Sequence, residues 1–168
     1  MYKRQAIKVI KDADPDFKIT LAGNYHDEIQ ADLYYLSIPY GARFPEKVLK
    51  ERRAKGQIST YYTCCTESFP GTFSFSNPAD ATWIGIHAVA GDYDGYLRWA
   101  VNSWTRDPLC DSRFRTWAAG DTYSIYPGPR SSIRFERLVE GLQDAEKIWQ
   151  LRNQYKKTGD TRRLARLN

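Results

Sequence analysis

The hydrophobic and polar positions of this 168-residue chain predict helices separated by strands. Apolar residues at helical spacing predict a short helix near the start and a long helix near the end. Two further segments carry residues that begin or end helices. Residues 44–56 have Pro45 in their first turn and end at Gly56, and residues 76–93 have Pro78 behind a Ser or Asn cap. The predicted helices cover residues 4–11, 44–56, 76–93 and 131–157.

The last predicted helix has an apolar stripe that we expect to face the core. Ser131 or Ser132 can cap this helix. Its free backbone N–H groups could hold an anion, although ordinary capping is the simpler interpretation. The stripe consists of Ile133, Leu138, Leu142, Ala145, Ile148 and Trp149.

Four β-prone runs precede or separate these helices, at residues 17–24, 32–39, 57–65 and 94–104. Strands that alternate with helices favour parallel βαβ units with right-handed crossovers. Four such units do not close an eight-stranded barrel. The element order therefore predicts a single α/β domain over residues 1–168, either as a small open sheet or as half of a larger barrel.

Composition agrees with one globular domain. Hydrophobic residues make up 42% and charged residues 27% of the chain, while the aromatic share of 14% is high. Tyr and Trp combine an apolar face with a polar tip, so they suit a pocket as well as a core. The net charge of +5 is spread over residues 47–55, which we interpret as a solvated helix face, and over residues 156–168. We interpret the second segment as a frayed terminus, and a nucleic-acid partner is not favoured.

The three cysteines do not suggest a disulfide framework or a metal site. Adjacent residues such as Cys64 and Cys65 close a disulfide only with strained geometry. A metal site needs more ligands, and only Cys110, His26 and His87 remain. We therefore expect free thiols with a packing role and no metal. No cofactor motif and no apolar run of signal-peptide or membrane-spanning length is present, so we expect no cofactor and no membrane span.

The fourth β-prone run carries three candidate ligand-binding residues. Parallel sheets bind ligands at the carboxyl ends of their strands. Alternation places Arg98 and Asn102 on a polar face that points toward the sheet centre or barrel mouth. Trp99 lies on the opposite, apolar face and is expected in the core. Trp104, beyond the strand end, is the better platform for a ligand.

Other polar residues are weaker candidates. His26 lies at the carboxyl end of the first run, and Tyr62 in the third run could point its hydroxyl at a ligand or bond to backbone. Asp121 could bind a ligand hydroxyl or brace its turn. The adjacent carboxylates Asp27 and Glu28 could act as polariser and general acid, although such pairs are common on loops.

Three blocks of sequence carry a resemblance to a known family. They are "TYYTCCTESFPGTFSFSNPADATWIGIHA", "DGYLRWAVNSWTRDPL" and "AGDTYSIYPGPRSSIRFERLVEGLQDAEKI". In this order and spacing they resemble the C-terminal part of the catalytic domain of glycoside hydrolase family 123. With the strand before "GNYH", the likeness spans nearly the whole chain. It implies strands five to eight of a (β/α)8 barrel that acts on β-linked N-acetylgalactosamine without a metal.

The resemblance also implies substrate-assisted, retaining hydrolysis. The acetamido oxygen of the sugar attacks the anomeric carbon, an Asp orients that group, and the adjacent Glu protonates the leaving oxygen. In the family this pair ends an upstream strand and is typically followed by Pro. Asp27 and Glu28 lie one strand later and lack the Pro, so the role is not transferred to them. The chain is then expected to form the pocket wall, with Tyr62 near the acetamido group.

The partners follow from the same resemblance. A glycan is the expected ligand, and a barrel half needs a second copy or its missing N-terminal half. The resemblance also implies an exported parent protein. The alternative to a hydrolase fragment is a non-catalytic carbohydrate-binding or structural module, and a basic nucleic-acid-binding domain is a third possibility.

Overall fold

The structure is a computed structural model that describes residues 2–113, 117–128 and 130–167. It contains two compact units. Unit 1 consists of Met1–Tyr62 and Asp92–Leu97, and unit 2 consists of Thr63–Gly91 and Arg98–Asn168. Within the described residues, no helix is both long and apolar enough to cross a bilayer.

A four-stranded sheet organises the first half of the chain. Its order is β1-β2-β3-β4, and β1 pairs with β2, and β2 with β3, in parallel. Thr20 lies opposite Tyr35, which lies opposite Ile58. This arrangement confirms the predicted α/β class with parallel strands. The elements in chain order are α1 (Tyr2–Ala13), β1 (Thr20–Ala22), α2 (Asp27–Gln30), β2 (Tyr35–Pro39), α3 (Glu46–Ala54), β3 (Ile58–Thr63), α4 (Ala79–Ala90) and β4 (Gly95–Arg98).

The core of unit 1 is centred on a fully buried tyrosine, Tyr61. Its ring centroid lies 5.6 Å from that of Tyr93 and 5.2 Å from that of Tyr96. Burial raises the pKa of Tyr61 far above its ordinary value. Leu36 and Ile38 of β2 are also buried. Part of the high aromatic content therefore serves the core.

A buried arginine on α3 bonds to the segments around the start of the strands. Arg52 is 1% exposed. Its Nη1 donates to the carbonyls of Gln30 at 2.5 Å and Leu33 at 3.1 Å. Its Nη2 donates to the Ile58 carbonyl at 2.9 Å, and its Nε to the Ser59 hydroxyl at 2.8 Å. Burial lowers the pKa of Arg52. One side chain thus connects α3 to the segment before β2 and to β3.

Unit 2 is mainly helical. The prediction of α4 and of the long helix α5 (Ile133–Thr158) is confirmed, and Ser132 caps α5 by accepting from the Phe135 N–H. A two-stranded hairpin of β5 (Ile125–Tyr126) and β6 (Arg130–Ser131), which the sequence analysis did not predict, precedes α5.

The prediction of a frayed C-terminal tail is wrong. Thr161–Leu167 forms a further helix, α6. Gly159 ends α5 with a φ of 70°, a left-handed conformation that glycine adopts without strain. Asp160 then accepts hydrogen bonds from the backbone N–H groups of Arg163 and Leu164. The tail is helical because Gly159 allows the turn that ends α5 and Asp160 caps the start of α6.

The predicted apolar stripe of α5 is wrong at two positions. Ile133 is 57% exposed and Leu142 is 45% exposed. The residues that α5 buries are Arg134, Gly141 and Ala145. At Gly141 and Ala145 the helix therefore packs through small residues, so side-chain size as well as hydrophobicity decides which face is inside.

Two glycines allow α4 and α5 to cross closely. A Cβ built on Gly85 would lie well under 3.0 Å from the Gly141 carbonyl oxygen, and one built on Gly141 would collide with the Thr82 carbonyl oxygen. The Thr82 hydroxyl also donates to the Arg137 carbonyl at 3.2 Å. The backbones are therefore too close for any side chain at the crossing.

We expect Arg52→Met to lower the free energy of unfolding by roughly 3 kcal/mol, because the carbonyls it bonds stay buried without their donor. Urea denaturation followed by circular dichroism measures this loss. Arg53→Met is the matched control. Arg53 is 45% exposed and pairs with Asp92 and Asp94, so its loss should be under about 1 kcal/mol. Equal losses for the two variants would contradict a special role for Arg52.

We expect Gly85→Ala to lower the free energy of unfolding by about 2 kcal/mol or more, since the added methyl forces α4 and α5 apart. Gly41→Ala is the control, because a Cβ at Gly41 meets no atom within 4 Å. Both are measured by the same denaturation. A neutral Gly85→Ala would show that the crossing tolerates a side chain.

Candidate functional site

The strand β4 is shorter than predicted, and this changes the candidate site. It ends at Arg98 instead of continuing to Trp104. The alternation inferred beyond Arg98 is therefore wrong. Trp99, expected in the core, is 45% exposed, and Asn102 is exposed outside the sheet. The N–H of Trp104 instead bonds to the Asn102 carbonyl at 3.0 Å, which shows a local turn.

Arg98 and Asp121 form a buried ion pair in unit 2. Their side chains are 6% and 0% exposed. Arg98 Nη2 contacts Asp121 Oδ1, and Arg98 Nη1 donates to the carbonyls of Thr63 and Cys64, both at 2.9 Å. Two residues predicted as ligand contacts thus bind each other. The pair braces the end of β3 and the loop that contains Asp121.

The protein environment acts on the pKa of Asp121 in two directions. Burial, the largest effect, raises the pKa. The charge of Arg98, the Thr122 N–H at 3.0 Å and the Trp99 side chain each act to lower it. Thr122 itself has a φ of 62°, which is costly for a β-branched residue, and its hydroxyl donates to the Ser103 carbonyl at 2.7 Å. The loop is held in a strained form beside a buried carboxyl group.

Three tryptophans lie near this pair in sequence or space. The rings of Trp99 and Trp117 meet edge to face with centroids 5.2 Å apart. Trp104, the predicted platform, is half-buried, and its indole N–H donates to the Ile125 carbonyl at 2.9 Å. Trp117 was not among the predicted site residues, and Trp99 was predicted in the core. The sequence gives no sign that the strand ends at Arg98, so the exposure of Trp99 could not be predicted from it.

The candidates in unit 1 have a separate environment. His26 is half-buried, and its Nε2 lies 3.3 Å from Lys3 Nζ. His26 and Glu28 line an open cavity of about 350 Å³. Asp27 and Glu28 are exposed, and Asp27 accepts a hydrogen bond from the Tyr25 hydroxyl at 2.8 Å. Burial first, and then this bond, raises the pKa of Tyr25 to about 12.

Tyr62 and the cysteines complete the predicted set. Tyr62 is half-buried near the end of β3, where its carbonyl accepts from the Tyr40 N–H at 2.9 Å. All three cysteines are free, with Cys64 and Cys65 half-buried and Cys110 exposed. In the part of the chain that the structure describes, no group of three His, Cys, Asp or Glu side chains could hold a metal ion.

Comparison with known proteins identifies a family. The model of the glycoside hydrolase 123 catalytic domain matches residues 1–151. Among solved structures, the chain is similar to a family 123 glycoside hydrolase from Clostridium perfringens, studied for glycolipid glycan hydrolysis, with a TM-score of 0.80 and 22% sequence identity. The match covers 94% of this chain and 30% of that one, and at this identity it shows the fold alone. No curated protein sequence matches.

We expect Arg98→Met to lower the free energy of unfolding by roughly 3–5 kcal/mol, because it leaves the Asp121 carboxyl group buried without its partner. The double variant Arg98→Met with Asp121→Leu should lose less than the sum of the two single variants. Arg113→Met is the control, since Arg113 pairs with Asp111 on the surface and should matter little. Additive losses in a double-mutant cycle would show that the pair is not coupled.

Proposed function

This chain belongs to glycoside hydrolase family 123, and we propose that it forms part of the sugar-binding wall of a hydrolase for β-linked N-acetylgalactosaminides. The family match over residues 1–151 carries the proposal. We further propose that the sheet corresponds to strands five to eight of a (β/α)8 barrel. The parallel pairing of β1, β2 and β3 supports this correspondence.

The sugar-contacting surface that we propose lies in unit 2, after the end of β4. Trp99 offers an exposed indole, whose flat apolar face suits the C–H face of a sugar ring. Asn102 offers an exposed amide that can bond a hydroxyl in both directions. Trp104 is the second aromatic candidate. Arg98 and Asp121 are buried, so we assign them the role of holding this segment in place rather than touching the sugar.

Hydrolysis in this proposal is substrate-assisted and retaining, with the sugar acetamido oxygen as nucleophile. We propose that the Asp that orients this group and the Glu that protonates the leaving oxygen come from outside the 168 residues. Two observations favour this over Asp27 and Glu28. Both carboxylates are exposed to solvent, and Asp27 already accepts a hydrogen bond from the Tyr25 hydroxyl. His26 and Tyr62 stay candidate sugar contacts of unit 1.

A second barrel half is part of the same proposal. The strand order of the described sheet places β1 and β4 at its edges, with one neighbour each. Unpaired edges favour association with another chain. We therefore propose that a second copy of this chain, or an N-terminal barrel half, pairs with it.

We expect the folded chain to bind N-acetylgalactosamine without turning over a chromogenic N-acetyl-β-galactosaminide. Saturation-transfer NMR measures binding, absorbance measures turnover, and light scattering of the same sample reports the mass of the species. Trp99→Ala should weaken binding about tenfold through loss of the aromatic face. Phe75→Ala is the matched control, because Phe75 is 70% exposed but lies outside the proposed wall, and it should bind normally.

Four results would contradict parts of this proposal. Turnover that Asp27→Asn or Glu28→Gln abolishes would place the catalytic pair in this chain. Equal weakening by Trp99→Ala and Phe75→Ala would remove the assigned wall. A folded chain that binds no sugar would favour a structural module, and a monomer that melts cooperatively would oppose the need for a second half.

A further inference from the structure

Two adjacent thiols lie at the end of β3. The Sγ atoms of Cys64 and Cys65 are 3.5 Å apart. Both residues are free and half-buried, so part of each residue is exposed to solvent. A disulfide bond is about 2.05 Å long, and the pair therefore needs to close by about 1.5 Å. These cysteines were expected to have a packing role, but the short distance between their sulfur atoms favours a chemical role.

The backbone of Cys64 is held on both sides in the dithiol form. Its N–H donates to Glu67 Oε2 at 2.6 Å. Its carbonyl accepts from Arg98 Nη1 at 2.9 Å, and Arg98 in turn contacts Asp121. The Cys64 carbonyl belongs to the peptide between the two cysteines. Rotation of that peptide therefore moves a hydrogen-bond acceptor of Arg98, the residue that pairs with Asp121.

We propose that Cys64 and Cys65 form a reversible thiol modification site that small-molecule disulfides convert into a disulfide between adjacent residues. One protein thiolate attacks a sulfur of oxidised glutathione, which forms a mixed disulfide and releases one glutathione. The second protein thiolate then attacks the protein sulfur of that mixed disulfide and displaces the second glutathione. The two protein thiols lose two electrons and two protons, and one glutathione disulfide becomes two thiols.

Oxidation at this site changes the position of Arg98. The Cα atoms of adjacent residues are 3.8 Å apart across a trans peptide, below the usual range for a disulfide, so the ring closes only if the intervening peptide rotates. That rotation moves the Cys64 carbonyl away from Arg98 Nη1. The hydrogen bond from Arg98 consequently favours the dithiol, and the hydrogen bond from the Cys64 N–H to Glu67 holds the adjoining peptide against the shift of the Cys64 backbone that ring closure requires. A strained disulfide of this kind is readily reduced, so the change is reversible.

The first experiment detects the bond in the Cys110→Ser chain, which leaves only the adjacent pair. The folded chain is equilibrated with mixtures of reduced and oxidised glutathione and then alkylated. A hydrogen bond with Cys64, and then burial, raises the pKa of Cys65, so a mildly alkaline buffer is needed to form thiolate. We expect mass spectrometry to show the loss of two hydrogens, located in the peptide that contains Cys64 and Cys65. Chains that stop at glutathione adducts would overturn the proposal.

The second experiment tests the link to the anchored backbone. Glu67→Ala removes the carboxylate that accepts a hydrogen bond from the Cys64 N–H. Glu67 is only half-buried, so the variant should keep its fold. We expect it to raise the ratio of disulfide to dithiol about fivefold at a fixed glutathione ratio, the effect of losing one hydrogen bond. Glu140→Ala is the matched control, because it removes an exposed carboxylate on α5 and should leave the ratio unchanged.

The same linkage predicts a signal in the neighbouring aromatic residues. The Trp99 side chain interacts with the Asp121 carboxyl group, which pairs with Arg98. Oxidation should therefore shift the tryptophan fluorescence of the Cys110→Ser chain. The chain that also carries Cys65→Ser should show no shift. An unchanged ratio in Glu67→Ala, or an unchanged emission on oxidation, would refute the coupling. These measurements do not depend on sugar binding, so the thiol site and the glycosidase proposal can fail separately.

Discussion

The need to satisfy buried carbonyl groups is the constraint on which much of this structure depends. Arg52 meets it in unit 1, where one guanidinium bonds to three backbone carbonyls around the sheet. The same solution recurs in unit 2. Arg98 binds two carbonyls after β3, Arg134 binds the Tyr123 carbonyl, and Arg152 binds carbonyls in α4 and α6. Part of the positive charge of the chain therefore serves the fold.

The fold was predictable where the signal is local. Pro45, Gly56 and the serine before α5 mark helix ends through backbone geometry and hydrogen bonding within a few residues, and the structure has helices at all these places. Alternation of strands and helices also predicted the parallel sheet. The α5 stripe could not be predicted correctly, because its buried face depends on Gly85, more than fifty residues earlier in the chain. Hydrophobicity alone does not show where two backbones touch.

The candidate site shows the same division. Sequence patterns indicated a role for the polar residues Arg98 and Asp121. They did not show that these two residues pair with each other across 23 positions. The error at Trp99 came from extending strand alternation past the point where the strand ends. Once Arg98 bends back to the carbonyls of Thr63 and Cys64, the following residues leave the sheet and alternation no longer applies. A tertiary contact at one residue thus decided the exposure of the next.

The use of arginine at the buried carbonyls has a consequence for the range of solution conditions that the fold tolerates. A guanidinium keeps its proton well above any pH at which lysine or histidine would lose theirs. Arg52 stays a donor even though burial lowers its pKa, because its ordinary value is so high. The hydrogen bonds of Arg52 in unit 1 therefore persist in alkaline solution. A change of pH acts on the protein through its carboxyl, thiol and phenol groups while these arginine hydrogen bonds remain in place.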